Sequence, residues 1–425
     1  MQMLACRRWW MLAGFAAAAF LSVVLVSCTT LNGDAGGSVG FMTTVPADGS
    51  EVELMTKLQK DFLSLPRQVR RERFADADYR RVLAEGKWHQ RPVQLSWTWN
   101  LPQDEGVPVF TVEVNRVKDG LPVALVSSSV TNVTIDNLEV ATEYVWHVNP
   151  VLMGRKLNMV ATGHFRTAGD VPRMIRIDGV ANSRDLGGYV GLGGRRVRQG
   201  LAIRSAGFNA NSEPVFFTEE ELRVPGLDLS GKEREKRTDG KPPRIIKEWR
   251  RGKDYVTSTG RRYMLGTLGV RTEIDLRSDD ETAGLVESPL GKNCRWIHVP
   301  SWSYGNMVSE KGKELFAKVF EKFLDKSNYP IVFHCISGQD RTGSVAFILN
   351  GLLGVSEEDL YRDWEATGFW NRNTTWFVHA NLLDKLVKSL DSYEGDTIND
   401  RIYAYVKSIG FTDDDINRFR AIMLE

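Results

Sequence analysis

A cysteine and an arginine stand six positions apart in the decapeptide HCISGQDRTG (residues 334–343), at Cys335 and Arg341. A thiol beside backbone N–H groups, a helix N-terminus and a cation is expected to be held as the thiolate, which is the attacking form of cysteine. The planar guanidinium of Arg341 can grip two oxygens of a phosphate. The pair therefore predicts nucleophilic displacement at phosphorus through a phosphocysteine, followed by hydrolysis.

The other residues of this loop have supporting roles in the same chemistry. Thr342 can donate a hydrogen bond to the Cys335 sulfur and help it leave in the second step. His334 can orient the loop through its ring nitrogens, and glycines let the backbone approach the ligand without an intervening Cβ. We expect the phosphate to be bound by the loop positions Ile336, Ser337, Gly338, Gln339 and Gly343.

The chain on either side of the loop has the pattern of a strand and a helix. Residues 329–333 (YPIVF) are apolar and rich in strand formers, and residues 344–349 (SVAFIL) begin a buried helix that Gly351 and Gly354 could end. A glycine-rich strand-to-helix turn directs N–H groups into a concavity, which makes an anion site. These features together favour a phosphate loop over a glycine turn that holds an inert buried cysteine.

The decapeptide resembles the phosphate loop of the cysteine-dependent protein tyrosine phosphatases. Its ending, DRTG, is most similar to the atypical bacterial tyrosine phosphatase family 3, whose usual loop reads HCxAGKDRTG. Ser337 stands in place of the usual alanine, and Gln339 stands in place of the usual lysine. Loss of that positive charge should weaken the binding of highly anionic substrates such as phosphoinositides.

Three further stretches are similar to the same family and occur in the expected order. They read NSRDLGGY at 182–189, LAIRSA at 201–206 and LGVRTEIDLRS at 268–278. The resemblance implies an α/β cysteine-phosphatase domain over residues 169–425, with a central, mostly parallel sheet flanked by helices.

Three charged residues of these stretches are assigned to substrate binding. Arg184 and Asp185 either border the phosphate site or form a buried ion pair that pins a turn. Asp275 ends a buried strand, and ligands of open α/β sheets gather at the carboxyl ends of strands. We therefore expect Asp275 near the mouth of the site, where it would brace the phosphate loop or Arg341.

The general acid is the least obvious assignment. Many cysteine phosphatases carry this aspartate on a separate loop, which here would follow the strand that ends at Val299. Residues 300–307 (PSWSYGNM) contain no carboxylate. Asp340, inside the loop, is then the best candidate and Glu310 the second, and the resemblance also implies Asp340.

An insertion at about residues 209–262 is not expected from the family pattern and is rich in lysine and arginine. A basic lid over the phosphate site would steer anionic substrates toward it. The alternative is a solvated excursion from the domain.

The N-terminus has the pattern of a lipoprotein signal peptide, residues 1–27. Arg7 and Arg8 precede an apolar run at 11–26 that is short for a membrane span. The run ends in LVSC, which resembles a bacterial lipobox with Cys28 as the lipidated residue, and Thr29 in place of Asp favours the outer membrane or surface. We therefore predict a lipid-anchored protein of the bacterial cell envelope; an uncleaved signal anchor is the alternative.

Three segments are predicted between the signal and the catalytic domain. Residues 28–50 are rich in Gly, Ser and Thr, which predicts a flexible tether. Residues 51–88 suggest two short helices with a solvated face at 67–71. Residues 89–168 alternate at period two, which predicts an all-β sandwich. Residues 138–146 resemble the tyrosine-corner region of fibronectin type III domains, and a packing role is favoured over binding of a protein or glycan.

Composition limits the remaining possibilities. The chain has 425 residues, 42% hydrophobic and 26% charged, as expected for two or three folded domains. A net charge of +1 gives no argument for a nucleic-acid partner. Cys294 precedes one predicted strand and Cys335 follows another, so in parallel neighbours they would lie too far apart for a disulfide. We predict free thiols and no metal or cofactor.

The function predicted from these features is an exported phosphatase acting on phosphomonoesters, with protein phosphotyrosine as the first substrate class. Inositol phosphates or phosphoinositides are the alternative substrates: Gln339 argues against them and the basic insertion for them. A non-catalytic phosphate-binding or adhesion protein is the alternative of another class.

Overall fold

The computed structural model describes residues 40–85, 89–99, 108–235, 237, 239–370 and 375–425. The described helices are Lys57–Ser64 (α1), Arg67–Ala75 (α2), Ala77–Glu85 (α3), Ser258–Arg262 (α4), Asp279–Thr282 (α5), Glu310–Phe323 (α6), Arg341–Leu352 (α7), Glu357–Glu365 (α8), Thr375–Leu390 (α9), Ile398–Ser408 (α10) and Asp413–Met423 (α11). The described strands are Phe41–Val45 (β1), Ser50–Val52 (β2), Val93–Trp99 (β3), Val109–Arg116 (β4), Pro122–Ser128 (β5), Asn132–Ile135 (β6), Glu143–Leu152 (β7), Arg155–Lys156 (β8), Ala161–Thr167 (β9), Arg184–Asp185 (β10), Ala202–Ser205 (β11), Glu213–Phe216 (β12), Ile246–Arg250 (β13), Thr272–Asp275 (β14), Arg295–His298 (β15) and Ile331–His334 (β16).

A five-stranded sheet in the order β10-β11-β16-β14-β15 carries the 334–343 loop. Strands β11, β16, β14 and β15 are parallel, and β10 is antiparallel at the edge. The register aligns Ser205, His334, Asp275 and His298 at the carboxyl ends of the four parallel strands. This mostly parallel sheet with its helices confirms the predicted α/β architecture, and it places the loop where open α/β sheets bind ligands.

Strand β16 and helix α7 are the most deeply buried elements of this part. All four residues of β16 are buried, as is every residue of α7 after Arg341. A parallel strand covered on both faces has a continuous apolar sequence, which Ile331, Val332 and Phe333 provide. Burial on every side holds both ends of the intervening loop in place.

Two other sheets share one apolar core. Their orders are β1-β3-β6 and β2-β9-β7-β4-β5, with β8 paired to β7, and Trp97 and Trp146 lie in the common core. The buried Tyr144 hydroxyl accepts a hydrogen bond from the Glu139 N–H at 2.9 Å, the type of contact found in tyrosine corners. A fibronectin type III domain stays a prediction.

The end of the predicted tether belongs to these sheets. Strand β1 pairs with β3 and strand β2 pairs with β9, so residues 41–52 contribute strands well before position 89. The prediction of a tether through residue 50 was wrong there. Strands of three to five residues carry too little alternation to be detected, and pairing with distant strands determines them.

Residues 57–85 form three helices, whereas two were predicted, and they pack on the catalytic core. Phe62 and Phe74 join the same apolar cluster as Phe369. Arg70, predicted on a solvated face, is fully buried and donates to Glu365, which lies 295 positions away in the sequence. That prediction was wrong because local periodicity does not reveal an ion-pair partner so distant in sequence.

Side chains join the sheets of residues 93–167 to the catalytic part. The Asn137 amide exchanges two hydrogen bonds with the Arg176 backbone, at 2.7 and 2.8 Å. The Gln199 amide makes the equivalent pair with Val140, at 2.8 and 3.0 Å. Residues 40–425 therefore form one compact unit.

The predicted signal peptide and Cys28 lie outside the described residues. Of the helices that are described, none has the length and apolar character required to cross a bilayer.

Candidate active site

Cys335 is the first residue after β16, and six positions later Arg341 begins α7. The Cys335 side chain is buried, whereas the Ile336 side chain is 46% exposed. In the described part of the chain, the N–H groups of Ile336, Ser337 and Gly338 have no hydrogen-bond acceptor. Amide donors grouped beside a helix N-terminus can bind an anion, as the glycine-rich turn predicts.

The two loop glycines allow close packing against the rest of the domain. Gly338 has a φ of 69°, and a Cβ there would lie 2.4 Å from the Ser205 carbonyl oxygen of β11. A Cβ on Gly343 would lie 2.7 Å from the Trp364 ring. Both glycines thus let the loop and α7 lie directly on the domain, and their role in phosphate binding stays a prediction.

Glu281, in α5, holds the guanidinium of Arg341. Arg341 donates to its two carboxylate oxygens at 2.5 and 3.1 Å. Burial, the largest single effect, raises the pKa of Glu281, but the hydrogen bonds from Arg341 and Ser278 and the charge of Arg341 together lower it below its ordinary value. A bidentate contact fixes the plane of the guanidinium. Sequence analysis missed Glu281 because nothing in the local pattern links it to a residue 60 positions later.

Asp340 receives a hydrogen bond from the hydroxyl of Tyr304. Tyr304 lies in the segment that follows β15, where a general acid was expected and no carboxylate occurs. It adopts a positive φ of 57°, and its N–H donates to the Ser344 hydroxyl at 2.8 Å. A bulky residue in the left-handed region is uncommon and points to a functional constraint. The segment that was expected to carry the general acid thus contributes a tyrosine, whose hydroxyl contacts the candidate acid Asp340.

A buried ionic cluster supports the base of the loop. His334 contacts Glu273 Oε1 through Nε2 at 2.8 Å and the Cys335 carbonyl oxygen through Nδ1 at 3.1 Å. Burial opposes the charged ring, but the carboxylates of Asp275 and Glu273 outweigh it and raise the pKa of His334. An imidazolium can donate from both nitrogens at once. The orienting role predicted for His334 thus has a physical basis.

Asp275 belongs to this cluster and not to the mouth of the site. Its side chain is fully buried and paired with Arg277 at 2.6 Å, and Arg277 also donates to Asn209. The assignment of Asp275 to substrate binding is therefore wrong, since its side chain does not reach solvent. Its oxygen lies 3.9 Å from His334 Nδ1, which fits the predicted bracing of the phosphate loop. Ligand atoms of Glu273, Asp275 and His334 lie within 4.8 Å of one another, a spacing that suits a metal ion, but the adjacent Arg277 charge disfavours a cation.

The variant Glu273→Gln should show how far this cluster stabilises the fold. The pKa of His334 is raised, so its contribution is complete below about pH 6.5 and is lost as pH rises through the raised value. The difference in unfolding free energy between wild type and variant should therefore be largest near pH 6 and shrink toward pH 9. Urea unfolding across this range measures it, and a difference independent of pH would contradict the assignment.

Arg184 and Asp185 are fully buried, and they do not pair with each other. Arg184 donates to Asp363 of α8 at 3.1 Å, and Asp185 binds Arg173 at 2.8 Å. The substrate-binding prediction for both residues is wrong because neither side chain reaches solvent. Arg204 shares Asp363 with Arg184.

Two of the signature stretches, 182–189 and 201–206, nevertheless support the phosphate loop. Arg204 donates to the Gly338 carbonyl oxygen at 2.8 Å, and the Asn182 amide donates to the Ser337 carbonyl oxygen at 2.8 Å. With these carbonyls occupied on the inner side, the N–H groups of the loop are free to face outward.

Two loop side chains are placed differently from the prediction. Gln339 is 2% exposed, so its side chain does not line the rim of the phosphate site. The buried Thr342 hydroxyl makes no hydrogen bond to any residue that the structure describes, the Cys335 sulfur included.

A cleft of about 730 Å³ opens at the loop. It is lined by residues 301–306, Asp340, Arg341, Leu382 and Lys385. Helix α9 supplies the last two, and it is held there by Asp384, which binds Arg71 of α2 at 2.6 Å. The N-terminal helices therefore help to form the far wall of the cleft.

The basic insertion does not contribute to the described lining of this cleft. Within the insertion, β12 pairs with β13, and the Ser212 N–H donates to the Glu281 carbonyl oxygen at 3.0 Å. Several of its cations are neutralised locally, since Arg237 and Arg244 both bind Glu235. The structure therefore indicates that the described part of the insertion lies beside α5 and does not form a lid over the phosphate site.

Cys294 and Cys335 are both free thiols, as predicted, and both are buried. Their strands are not neighbours, because β14 lies between β15 and β16. Burial, and after it the Glu273 charge, raises the pKa of Cys294 to about 12.

We expect iodoacetamide at neutral pH to modify Cys335 far faster than Cys294, because the thiolate is the reactive form. Peptide mass mapping locates the label, and inorganic phosphate should slow its incorporation by occupying the loop. Labelling in urea, where both thiols react, serves as the control. Equal rates in the folded protein would contradict this prediction.

Comparison with known proteins agrees with this geometry. A model of the tyrosine phosphatase family matches residues 175–216 and 250–425, which are 218 of the 425 residues. The unmatched interval, 217–249, lies inside the predicted insertion.

Two curated relatives and one solved structure are similar over parts of the chain. A Cupriavidus necator protein, provisionally named a tyrosine-protein phosphatase, is 24% identical over 211 residues, covering 44% of this chain and 60% of the relative. A tyrosine-protein phosphatase of Nostoc commune is 26% identical over 120 residues, covering 24% and 41%. The chain thus spans less than two thirds of either relative.

The solved structure is the core catalytic domain of the PP-IP phosphatase SIW14 from S. cerevisiae. It is 18% identical with a TM-score of 0.21, and the match covers 29% of this chain and 74% of that one. The family model spans more than half of the sequence and includes the 334–343 loop and the residues that line the cleft. The chain belongs to the tyrosine phosphatase family.

Proposed function

We propose that this chain hydrolyses phosphomonoesters, protein phosphotyrosine first among them, through a phosphocysteine intermediate. The observation that carries the proposal is the position of Cys335 directly before three N–H groups that have no acceptor among the described residues, with Arg341 bound by Glu281 at the other end of the loop. Membership in the tyrosine phosphatase family and the names of both relatives support it.

In the first step, the Cys335 thiolate attacks phosphorus, the S–P bond forms and the P–O bond to the leaving group breaks. Asp340 gives its proton to the departing oxygen. The loop N–H groups and the Arg341 fork bind the three non-bridging oxygens as charge develops on them. Tyr304, through its hydrogen bond, keeps the Asp340 carboxyl turned toward the cleft.

In the second step, a water molecule attacks the phosphocysteine. Asp340, now a carboxylate, takes a proton from the water, the S–P bond breaks, and phosphate and the Cys335 thiolate are released.

Hydrolysis of p-nitrophenyl phosphate tests the proposal. Wild type should release phosphate, Cys335→Ser should reduce the rate to background, and Cys294→Ser, which changes the other buried thiol, should keep it. Asp340→Asn should lower turnover of alkyl phosphates more than of aryl phosphates, because alkyl leaving groups need the proton. Phosphate binding without turnover in wild type would favour the non-catalytic alternative, and a preference for inositol phosphates would favour the alternative substrate class.

We also propose that the protein is exported and lipid-anchored at Cys28 in the bacterial cell envelope. The support is the sequence pattern at 7–28, with its two arginines, apolar run and LVSC ending. Incorporation of a fatty-acid label in cells, lost in Cys28→Ala, tests the anchor. Full-length unlabelled protein in the cytosolic fraction would contradict it.

A further inference from the structure

The cleft beside the phosphate loop contains a second positive charge. Lys385 of α9 lines it together with Arg341. The residue is exposed, and in the described part of the chain it has no acidic partner. By contrast, Asp384, next to it in sequence, is bound by Arg67 and Arg71. Helix α9 is thus anchored by one residue and presents the next as an available cation.

Lys385 lies close to the segment that forms the opposite side of the cleft. A Cβ on Gly305 would be 3.6 Å from the Lys385 Cβ. This separation is an ordinary van der Waals contact, so the Lys385 stem lies directly beside the segment that carries Tyr304. Lys385 thus lines the same cleft as Asp340 and Arg341.

This lysine supplies a charge that the loop itself lacks. The resemblance to family 3 leads one to expect a lysine at position 339, and here that position is a buried glutamine. The positive charge that accompanies Arg341 in this cleft is therefore on the far wall, at Lys385, and not at position 339 of the phosphate loop. It would act on a group next to the reacting phosphate rather than on the phosphate.

The cleft also has an aromatic face. Trp302 lines it and is 43% exposed, and an exposed indole can pack against the ring of an aryl phosphate. Among the residues that the structure places around the cleft, the cations are Arg341 and Lys385. A single cation outside the phosphate loop can pair with one additional negative charge of the substrate. A polyphosphate would carry several additional negative charges.

We propose that Lys385 anchors a second anion subsite, which binds an acidic side chain adjacent to the phosphotyrosine of a peptide substrate. The inference rests on the proposed phosphatase function and specifies its substrate. A flexible lysine paired with a carboxylate in a solvated cleft contributes modestly, so a preference of about fivefold in kcat/KM is expected for an acidic peptide over its neutral counterpart.

Two phosphotyrosine peptides that differ only in Glu or Gln beside the phosphotyrosine test the subsite. Wild type should prefer the Glu peptide about fivefold, and Lys385→Gln should have a ratio near one. Lys385→Glu should favour a third peptide with Lys at that position, because the two charges are then exchanged and can again form an ion pair. Lys388→Gln, the same charge change one turn further along α9 and outside the cleft lining, should keep the wild-type preference.

The outcomes separate this inference from the proposed function. Phosphate release from both peptides with no preference, or a preference that survives in Lys385→Gln, would overturn the subsite alone. A higher kcat/KM for an inositol bisphosphate, reduced in Lys385→Gln, would assign the second anion to a polyol phosphate and overturn the peptide assignment. No release from any substrate, p-nitrophenyl phosphate included, would overturn the proposed function and the subsite with it.

Discussion

Replacing Arg341 by lysine should lower kcat for p-nitrophenyl phosphate by roughly 10² to 10³. The substitution keeps one positive charge but removes the planar fork that can bind two phosphate oxygens. It also removes the bidentate contact with Glu281 that sets the orientation of the group. Loss of one preorganised donor to the transition state typically costs about 10² to 10³ in rate.

The partition between kcat and KM makes this result informative. A donor whose contacts strengthen in the transition state should affect kcat more than KM. Arg401→Lys, at an exposed ion pair with Asp391, is the matched control and should leave both constants unchanged. An Arg341→Lys enzyme with kcat within threefold of wild type would show that charge alone suffices and that the fork is not used.

Replacing Asp363 by asparagine should lower the free energy of unfolding by about 3 to 5 kcal/mol. Asp363 is the carboxylate that Arg184 and Arg204 share, and the side chains of all three are almost entirely buried. Removing one member of a buried ion cluster leaves the remaining charges unpaired in a medium of low polarity, and this accounts for the size of the loss.

Urea unfolding of the variant measures this loss, with Asp391→Asn as the control at an exposed pair. Burial works to raise the pKa of Asp363, but the two guanidinium groups outweigh it and lower that pKa. The stabilisation is therefore present above about pH 4 and is lost as acid protonates the carboxylate. The variant should lack this acid-dependent component, and a loss below about 1 kcal/mol at pH 7 would contradict the assignment.

The same substitution should also impair catalysis at a distance. Arg204 donates to the Gly338 carbonyl oxygen of the phosphate loop, so a displaced Arg204 would loosen the loop. Asp363 is therefore a positioning residue, and its effect on kcat accompanies its effect on stability.

Local pattern was sufficient to identify the catalytic loop. A buried strand, a glycine turn with Cys335 and Arg341, and a buried helix can be recognised within some 20 residues, because period and turn chemistry are local properties. The order of the signature stretches likewise implied the α/β domain, which the five-stranded sheet confirms. The free state of both thiols followed from the position of each cysteine relative to its strand.

Contacts between distant segments could not be predicted in this way. Glu281, Tyr304 and Lys385 carry no local signal, and each approaches the loop only when its own element is packed. For the same reason, Arg184, Asp185 and Asp275 appeared to be substrate ligands: the pattern places them near the loop but does not show on which side of it they lie. In the structure, all three side chains are fully buried.

The sequence by itself determined which residues of this protein are candidates for chemistry, since a thiol and a guanidinium at a strand-to-helix turn form a pattern that lies within ten residues. Tertiary structure decided what surrounds that chemistry: which carboxylate orients Arg341, which hydroxyl touches Asp340 and which cation faces the substrate. The physical reason is the sequence separation over which each kind of interaction acts. Backbone propensity and periodicity act over a few residues, whereas ion pairs and packing join side chains that lie tens to hundreds of positions apart, and only the packed chain brings them together.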